Sequence, residues 1–262
     1  MLTAAAGYVG VAGLLWFSQD SLLFLPQRAY AKPVPPPGWI LEDVRYTARD
    51  GTKLSGVLVK PVASAPLALL ISYGGNAEEI TASASAAQLF GPRASLLVNY
   101  RGYGESEGKP SEAALVSDAL ELFDWAAKRA DIDATRIALH GRSLGTGVAV
   151  QVAAQRPVKC AVLTSAYDSI REVAKAHYPW FPVGILLRHP FDSASYAPRL
   201  AMPALFIFGS TDTIIAAEHS EKLATLWGGS AEKLRLEGRG HNDLALDARY
   251  FPAIAGFLDR HL

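Results

Sequence analysis

Gly141-Arg142-Ser143-Leu144-Gly145 is a G-x-S-x-G sequence that closes an apolar run, Arg136-Ile-Ala-Leu-His140, and opens a stretch of small residues from Thr146 to Ala154. That context reads as strand, sharp turn and helix. A serine on such a turn is held in strained backbone with its oxygen exposed above a sheet, and the glycines two residues to either side prevent a collision where strand and helix nearly touch. Ser143 is therefore a candidate nucleophile. Serine is a poor acid, so an alkoxide requires a base to take its proton and a buried carboxylate to hold that base in the right tautomer. Two later turns supply these types: Gly209-Ser-Thr-Asp212 offers the carboxylate and Gly238-Arg-Gly-His-Asn242 offers the imidazole of His241. Asp168 is a second position for the acid, with helix capping as its plainer role. Acyl transfer also needs donors for the oxyanion. The Leu144 N–H, at the start of the helix after the turn, is one candidate; the Asn76 N–H in Gly74-Gly-Asn76 is the other, with Gly75 second.

The elements that must position these residues are legible as apolar runs. Glu42–Ala48 and Leu54–Lys60 flank Arg49-Asp-Gly51, and Asp-Gly between alternating residues is a hairpin signal. Continuous apolar runs follow at Leu67–Ser72, Ser95–Tyr100, Arg136–His140, Cys160–Thr164, Ala204–Phe208 and Lys233–Leu236, and runs without in/out alternation suit strands covered on both faces. Helical spacing appears from Ser111, a capping serine, and over about 216–227 and 252–261. A hairpin and then β-α alternation describes a mostly parallel, doubly wound α/β sheet, whose sites lie at the carboxyl ends of the strands. Every residue singled out above sits at such an end.

Composition narrows the classes. The chain has 262 residues, 50% of them hydrophobic and 19% charged, enough for one large core. Lys+Arg and Asp+Glu both number 25, so nothing favours nucleic acid as a partner. The single cysteine, Cys160, lies in an apolar run, where a thiol acts as a small hydrophobe rather than a nucleophile. His140, His189, His219 and His261 lack metal-ligand spacing, and neither a metal nor a cofactor is expected.

The first 25 residues are apolar but ambiguous. Leu2 to Phe17 carries no charge, and Leu22-Leu-Phe-Leu25 follows before Pro26. A full membrane span needs about 20 apolar residues and a signal-peptide core about 7 to 15. No Lys or Arg precedes the segment, which argues against a secretory leader, although Ala29-Tyr-Ala31 resembles a cleavage site. The expectation is a membrane-associated protein with an N-terminal anchor over 1–25, a secreted or periplasmic protein after cleavage being the alternative. A stiff proline-rich linker over 26–38 would lead to a catalytic domain over 39–262.

Six stretches, Gln19-Asp-Ser-Leu-Leu-Phe-Leu-Pro26, Gly75-Asn-Ala-Glu78, Asn99-Tyr-Arg-Gly-Tyr-Gly-Glu-Ser106, Gly141-Arg-Ser-Leu-Gly-Thr-Gly147, Gly209-Ser-Thr-Asp212 and Gly240-His-Asn242, together resemble the α/β-hydrolase superfamily. The resemblance is to its compact, N-terminally membrane-anchored branch, which includes depalmitoylase-like acyl-protein thioesterases. The chain order serine, acid, histidine is also that of α/β-hydrolases. The resemblance implies an eight-stranded sheet with helices on both faces, a triad of Ser143, Asp212 and His241, and a short lid over about 167–198. Tyr178, Trp180 and Phe181 in that lid are candidates to wall an acyl pocket. Relatives usually carry His-Gly-Asn-Ala where this chain has Gly74-Gly-Asn-Ala77, so a ring that would help fix the oxyanion loop is missing. Arg142 and Arg101 are candidates for pairing with a substrate anion, with structural ion pairs as the alternative. The expected activity is hydrolysis of a small or lipid-like carboxylic ester or thioester through an acyl-enzyme. A peptidase or amidase on the same triad and an inactive membrane-anchored scaffold are the alternatives.

Overall fold

The computed structural model describes residues 2–262. In chain order its helices are α1 (Leu2–Leu23), α2 (Glu112–Ala127), α3 (Leu144–Ala153), α4 (Ile170–His177), α5 (Val183–Leu186), α6 (Ser193–Tyr196), α7 (Ala217–Leu226) and α8 (Tyr250–His261). Its strands are β1 (Trp39–Thr47), β2 (Lys53–Pro61), β3 (Leu67–Tyr73), β4 (Ala94–Val98), β5 (Ile132–Arg142), β6 (Cys160–Thr164), β7 (Ala204–Gly209) and β8 (Ala231–Leu236). The eight strands form one sheet in the order β1-β2-β4-β3-β5-β6-β7-β8. β1 and β2 pair antiparallel around the expected hairpin, β2 runs antiparallel to β4, and the other pairs are parallel. This is the expected α/β-hydrolase architecture.

Period-2 geometry explains why the central strands read as continuous apolar runs. Leu69, Ile71, Ile137, Leu139, Leu163, Phe206 and Phe208 face a core shared with α2, α3 and α7. Their neighbours Leu70, Ala138, Cys160, Val162, Leu205 and Ile207 face a second core under α8. Each strand is thus buried on both faces. Burial pushes the Cys160 thiol up to about 12, so the thiolate is not formed and the residue packs as a hydrophobe. Ser111 caps α2 as expected, accepting from the Ala114 N–H at 3.2 Å. A 3₁₀ helix over Ile80–Phe90, whose Ser/Ala-rich sequence carries little periodic signal, covers β2 and β4.

The N-terminal segment departs from expectation. No helix among the described residues is long and apolar enough to cross a membrane, which overturns the anchor and the membrane-associated localisation built on it. The reason is visible in how α1 ends. Gln19 is buried and holds the chain around Leu186–Arg188: its Oε1 accepts from the Arg188 N–H at 2.7 Å and its Nε2 donates to the Leu186 carbonyl at 3.2 Å. Asp20 pairs with Arg188 and His189, both at 3.0 Å. Phe24 is 2% exposed and packs edge-on to His189 and Phe191. Leu15 and Leu23 in the second half of α1 line the hollow beneath the lid, and Gln19 and Asp20 bond to that lid, while Leu14 and Phe17 stay exposed.

Candidate active site

Ser143 sits alone between β5 and α3 with φ 50° and ψ −120°, a conformation that costs a non-glycine residue of the order of 1–3 kcal/mol. The flanking glycines permit it. A Cβ on Gly141 would come within 2.6 Å of the Gly145 carbonyl oxygen, and one on Gly145 would run into the carbonyl of Tyr73. The strand register then assembles the rest: Tyr73 pairs with Gly141, Arg142 with Thr164 and Gly209 with Leu236, so the loops after β3, β5, β6, β7 and β8 share one edge. At that edge His241 Nε2 lies 3.0 Å from Ser143 Oγ, and His241 Nδ1 lies 2.8 Å from Asp212 Oδ2. A carboxylate at Nδ1 fixes the proton there and turns the Nε2 lone pair toward the serine.

Asp212 is gripped from both sides. Its Oδ1 accepts from the Ile214 and Ile215 N–H groups at 2.9 and 2.8 Å, and its Oδ2 accepts from the buried Ser165 hydroxyl at 3.0 Å. Burial pushes its pKa upward, but the hydrogen bonds from His241 and the two N–H groups outweigh burial and hold the carboxyl below the usual carboxylate range. Sequence reasoning did not find Ser165; its one signal is its place directly after β6, beside the β7 end.

Asn76 and Leu144 flank Ser143, and among the described residues neither backbone N–H has a hydrogen-bond partner. Gly75 is committed elsewhere, since its N–H donates to Glu78 Oε2 at 2.8 Å. The ring missing from this loop is replaced by other contacts. Tyr103 Oη and the Leu25 N–H donate to the Asn76 carbonyl at 2.6 and 3.0 Å, and Tyr100 Oη donates to the Gly74 carbonyl at 3.0 Å.

A profile of the serine hydrolase (FSH1) family matches residues 134–242, which run from β5 through the histidine loop. The chain is 36% identical over 239 residues to the uncharacterized protein MT2364 of Mycobacterium tuberculosis, covering 89% of this chain and 84% of that one. It is 30% identical to the α/β hydrolase domain-containing protein aho-3 of Caenorhabditis elegans, over 83% of this chain and 65% of the other. Among solved structures, an acetyl xylan esterase from Paenibacillus sp. R4 superposes with a TM-score of 0.73 at 20% identity, covering 95% of this chain and 94% of the esterase. The chain has the α/β-hydrolase fold.

A hollow lies over the elbow. The hollow is an apolar cavity of about 250 Å³ that opens on Ser143, Leu144 and Asn76 and is walled by the lid on one side and α1 on the other. Tyr178 and Phe181 line it. Trp180 does not: it occupies the turn between α4 and α5, is 83% exposed and meets the rest of the chain through its carbonyl, which accepts from Tyr8 Oη at 2.8 Å. Aromatic character alone does not tell which of three neighbouring rings turns inward.

The remaining candidates are spoken for. Asp168 binds His219 Nδ1 at 2.7 Å and Lys222 Nζ at 2.5 Å, away from His241. Arg101 forms ion pairs with Asp118 and Asp50. Arg142 pairs with Glu78 at 3.2 Å and donates to Asn242 Oδ1 at 3.0 Å, tying the loop after β3 to the histidine loop. Among the described residues no group of three or more His, Cys, Asp or Glu side chains gathers to hold a metal ion.

Proposed function

We propose that this α/β-hydrolase cleaves carboxylic esters or thioesters through an acyl-enzyme on Ser143. The observation that carries the reading is the unbroken chain of hydrogen bonds from Ser143 Oγ through His241 to Asp212, at the mouth of an apolar cavity beside two unengaged N–H groups. As Ser143 Oγ attacks the acyl carbon, its proton passes to His241 Nε2, and Asp212 stabilises the imidazolium through Nδ1–H. The negative charge that develops on the carbonyl oxygen is met by the N–H groups of Leu144 and Asn76. Collapse of the tetrahedral intermediate breaks the bond to the alkoxide or thiolate, which leaves with the proton from His241 Nε2. Water, deprotonated by the same nitrogen, then adds to the acyl-enzyme and releases the carboxylic acid.

Fluorophosphonate labelling tests this directly. Ser143→Ala should abolish labelling and lower kcat on a p-nitrophenyl ester by about 10⁴-fold or more with an unchanged circular dichroism spectrum. Labelling that persists in that variant would remove Ser143 as the nucleophile.

A further inference from the structure

We infer that α1 is a specificity element of this enzyme: together with the lid it forms an apolar sleeve for an unbranched acyl chain. The inference rests on the ester-hydrolase reading above. Leu15, Leu22 and Leu23 of α1 face Val173, Phe181 and Leu187 of the lid across the cavity, and no Asp, Glu, Lys or Arg side chain lines it. Two of the polar side chains along the walls are engaged elsewhere. Gln19 spends its amide on the Leu186 carbonyl and the Arg188 N–H, and His177 Nε2 bonds the Ile214 carbonyl at 3.0 Å. With no charged side chain along it, the cavity favours an apolar acyl chain, because burying a polar group without a partner is costly.

The position of His241 assigns the cavity to the acyl half of the substrate. A leaving group must lie where His241 Nε2 can protonate it, so it lies on the histidine's side of Ser143. His241 does not line the apolar cavity; it lines a separate hollow with Glu78, His140 and Arg142 on the other side of the elbow. The leaving group therefore exits past the histidine loop, and the apolar cavity receives the chain that stays on Ser143 between the two half-reactions. The cavity, about 250 Å³ and apolar, has room for an acyl chain longer than acetyl.

The latch explains why α1 can serve as a wall. Tyr8 stacks on Phe181 with ring centroids 5.3 Å apart, and Arg188 lies over the Trp16 ring at 5.2 Å. With Gln19 and Asp20 these contacts fix the helix to the lid at both ends of the cavity.

The test is a p-nitrophenyl ester series from acetate to palmitate, which keeps the leaving group constant. For the wild type, kcat/KM should rise by about fourfold for each methylene added beyond acetate, until the chain outgrows the cavity. Leu15→Trp should lower the octanoate-to-acetate ratio of kcat/KM at least tenfold. Leu15→Ala should move the peak to longer chains. Leu22 is 52% exposed, so Leu22→Trp offers a second intrusion with little risk to folding and should act in the same direction as Leu15→Trp. A wild-type profile that peaks at acetate, or tryptophan variants that leave the ratio unchanged, would overturn the role of α1. Fluorophosphonate labelling of each variant separates the two readings: intact labelling with an unmoved chain-length profile rejects the sleeve alone, whereas absent labelling in the wild type rejects the serine mechanism.

Discussion

Two carboxylate–imidazole pairs stand at neighbouring strand ends of this sheet. Asp212 with His241 follows β7 and β8, at 2.8 Å; Asp168 with His219 follows β6 and opens α7, at 2.7 Å. Both carboxylates are buried, and distance does not distinguish them. What differs is the company each keeps. Asp168 also binds the Lys222 ammonium, so a full positive charge already answers its negative one. Asp212 accepts only from neutral N–H and O–H groups besides His241, leaving its charge free to stabilise an imidazolium when one forms. The second nitrogen differs too: that of His241 faces Ser143 Oγ, whereas among the described residues no hydroxyl is bonded to that of His219. Under the proposed mechanism, the pair that serves Ser143 is the one whose far nitrogen meets a nucleophile.

The largest break in this comparison should come from equal substitutions in the two pairs. Asp212→Asn keeps the shape but favours the wrong imidazole tautomer, which should lower kcat on the order of 10⁴-fold. Asp168→Asn should lower it by no more than about tenfold, roughly 1.4 kcal/mol in barrier. Its effect should appear in stability instead. Burial raises the Asp168 carboxyl, yet His219 and Lys222 outweigh burial and bring it to about 2. A carboxyl held below its unfolded value of roughly 4 contributes about 2 kcal/mol that is fully present above pH 4 and lost as pH falls through about 2. Urea melts at pH 7 should show that loss in Asp168→Asn. The reverse ranking of the two variants in kcat, with both folded, would move the acid to β6.

A third histidine sharpens the contrast because no carboxylate is hydrogen-bonded to its ring. His140 on β5 is buried against Phe90, and desolvation pushes its pKa down to about 4 despite the nearby Glu78. The unfolded chain, at an ordinary value of about 6.5, takes up a proton first as pH falls. Stability from this site is therefore complete above about pH 6.5 and declines by about 3 kcal/mol on the way to pH 4. His140→Gln cannot take up that proton, so the drop in unfolding free energy between pH 7 and pH 4.5 should be smaller by most of that amount in chemical denaturation. Equal acid sensitivity in variant and wild type would place the titration elsewhere.

Legibility in the sequence tracked how local each cause was. The strands could be read because burial on both faces leaves unbroken apolar runs, and the elbow because steric crowding acts between residues two apart. The order of Ser143, Asp212 and His241 needed only the chain. The second half of α1 was misread because a helix with apolar residues on most sides looks the same whether lipid or the protein's own lid covers it. Gln19 and Asp20, between two serines, were its polar clue, and their partners lie about 170 residues away. Glu78 and Tyr103 sit within stretches already noticed, yet their roles at Gly75 and Asn76 depend on loops that meet only once the sheet has formed. Ser165 is of this kind as well.

Ser165 supplies the smallest expected effect. Its φ is 49°, its N–H donates to the Ile207 carbonyl at 2.8 Å, and its hydroxyl donates to Asp212 Oδ2, the oxygen that also serves His241. Alanine at this position keeps the backbone strain of serine and deletes only the hydroxyl, so Ser165→Ala isolates one of the four donors to the carboxylate. The two N–H groups on Oδ1 still hold Asp212 in place, and the His241 bond still fixes the tautomer. What is lost is one neutral hydrogen bond to a charged group, about 1.5 kcal/mol at the low end of its range, part of which is felt equally in ground and transition states. The expected result is a fall in kcat of about 3- to 10-fold with KM unchanged. A loss approaching that of Asp212→Asn would mean that the backbone grip on Oδ1 is not enough to orient the acid. No loss at all would reduce Ser165 to a packing residue at the β6 turn, and the compensating donors that set Asp212 apart from Asp168 would be the two N–H groups alone.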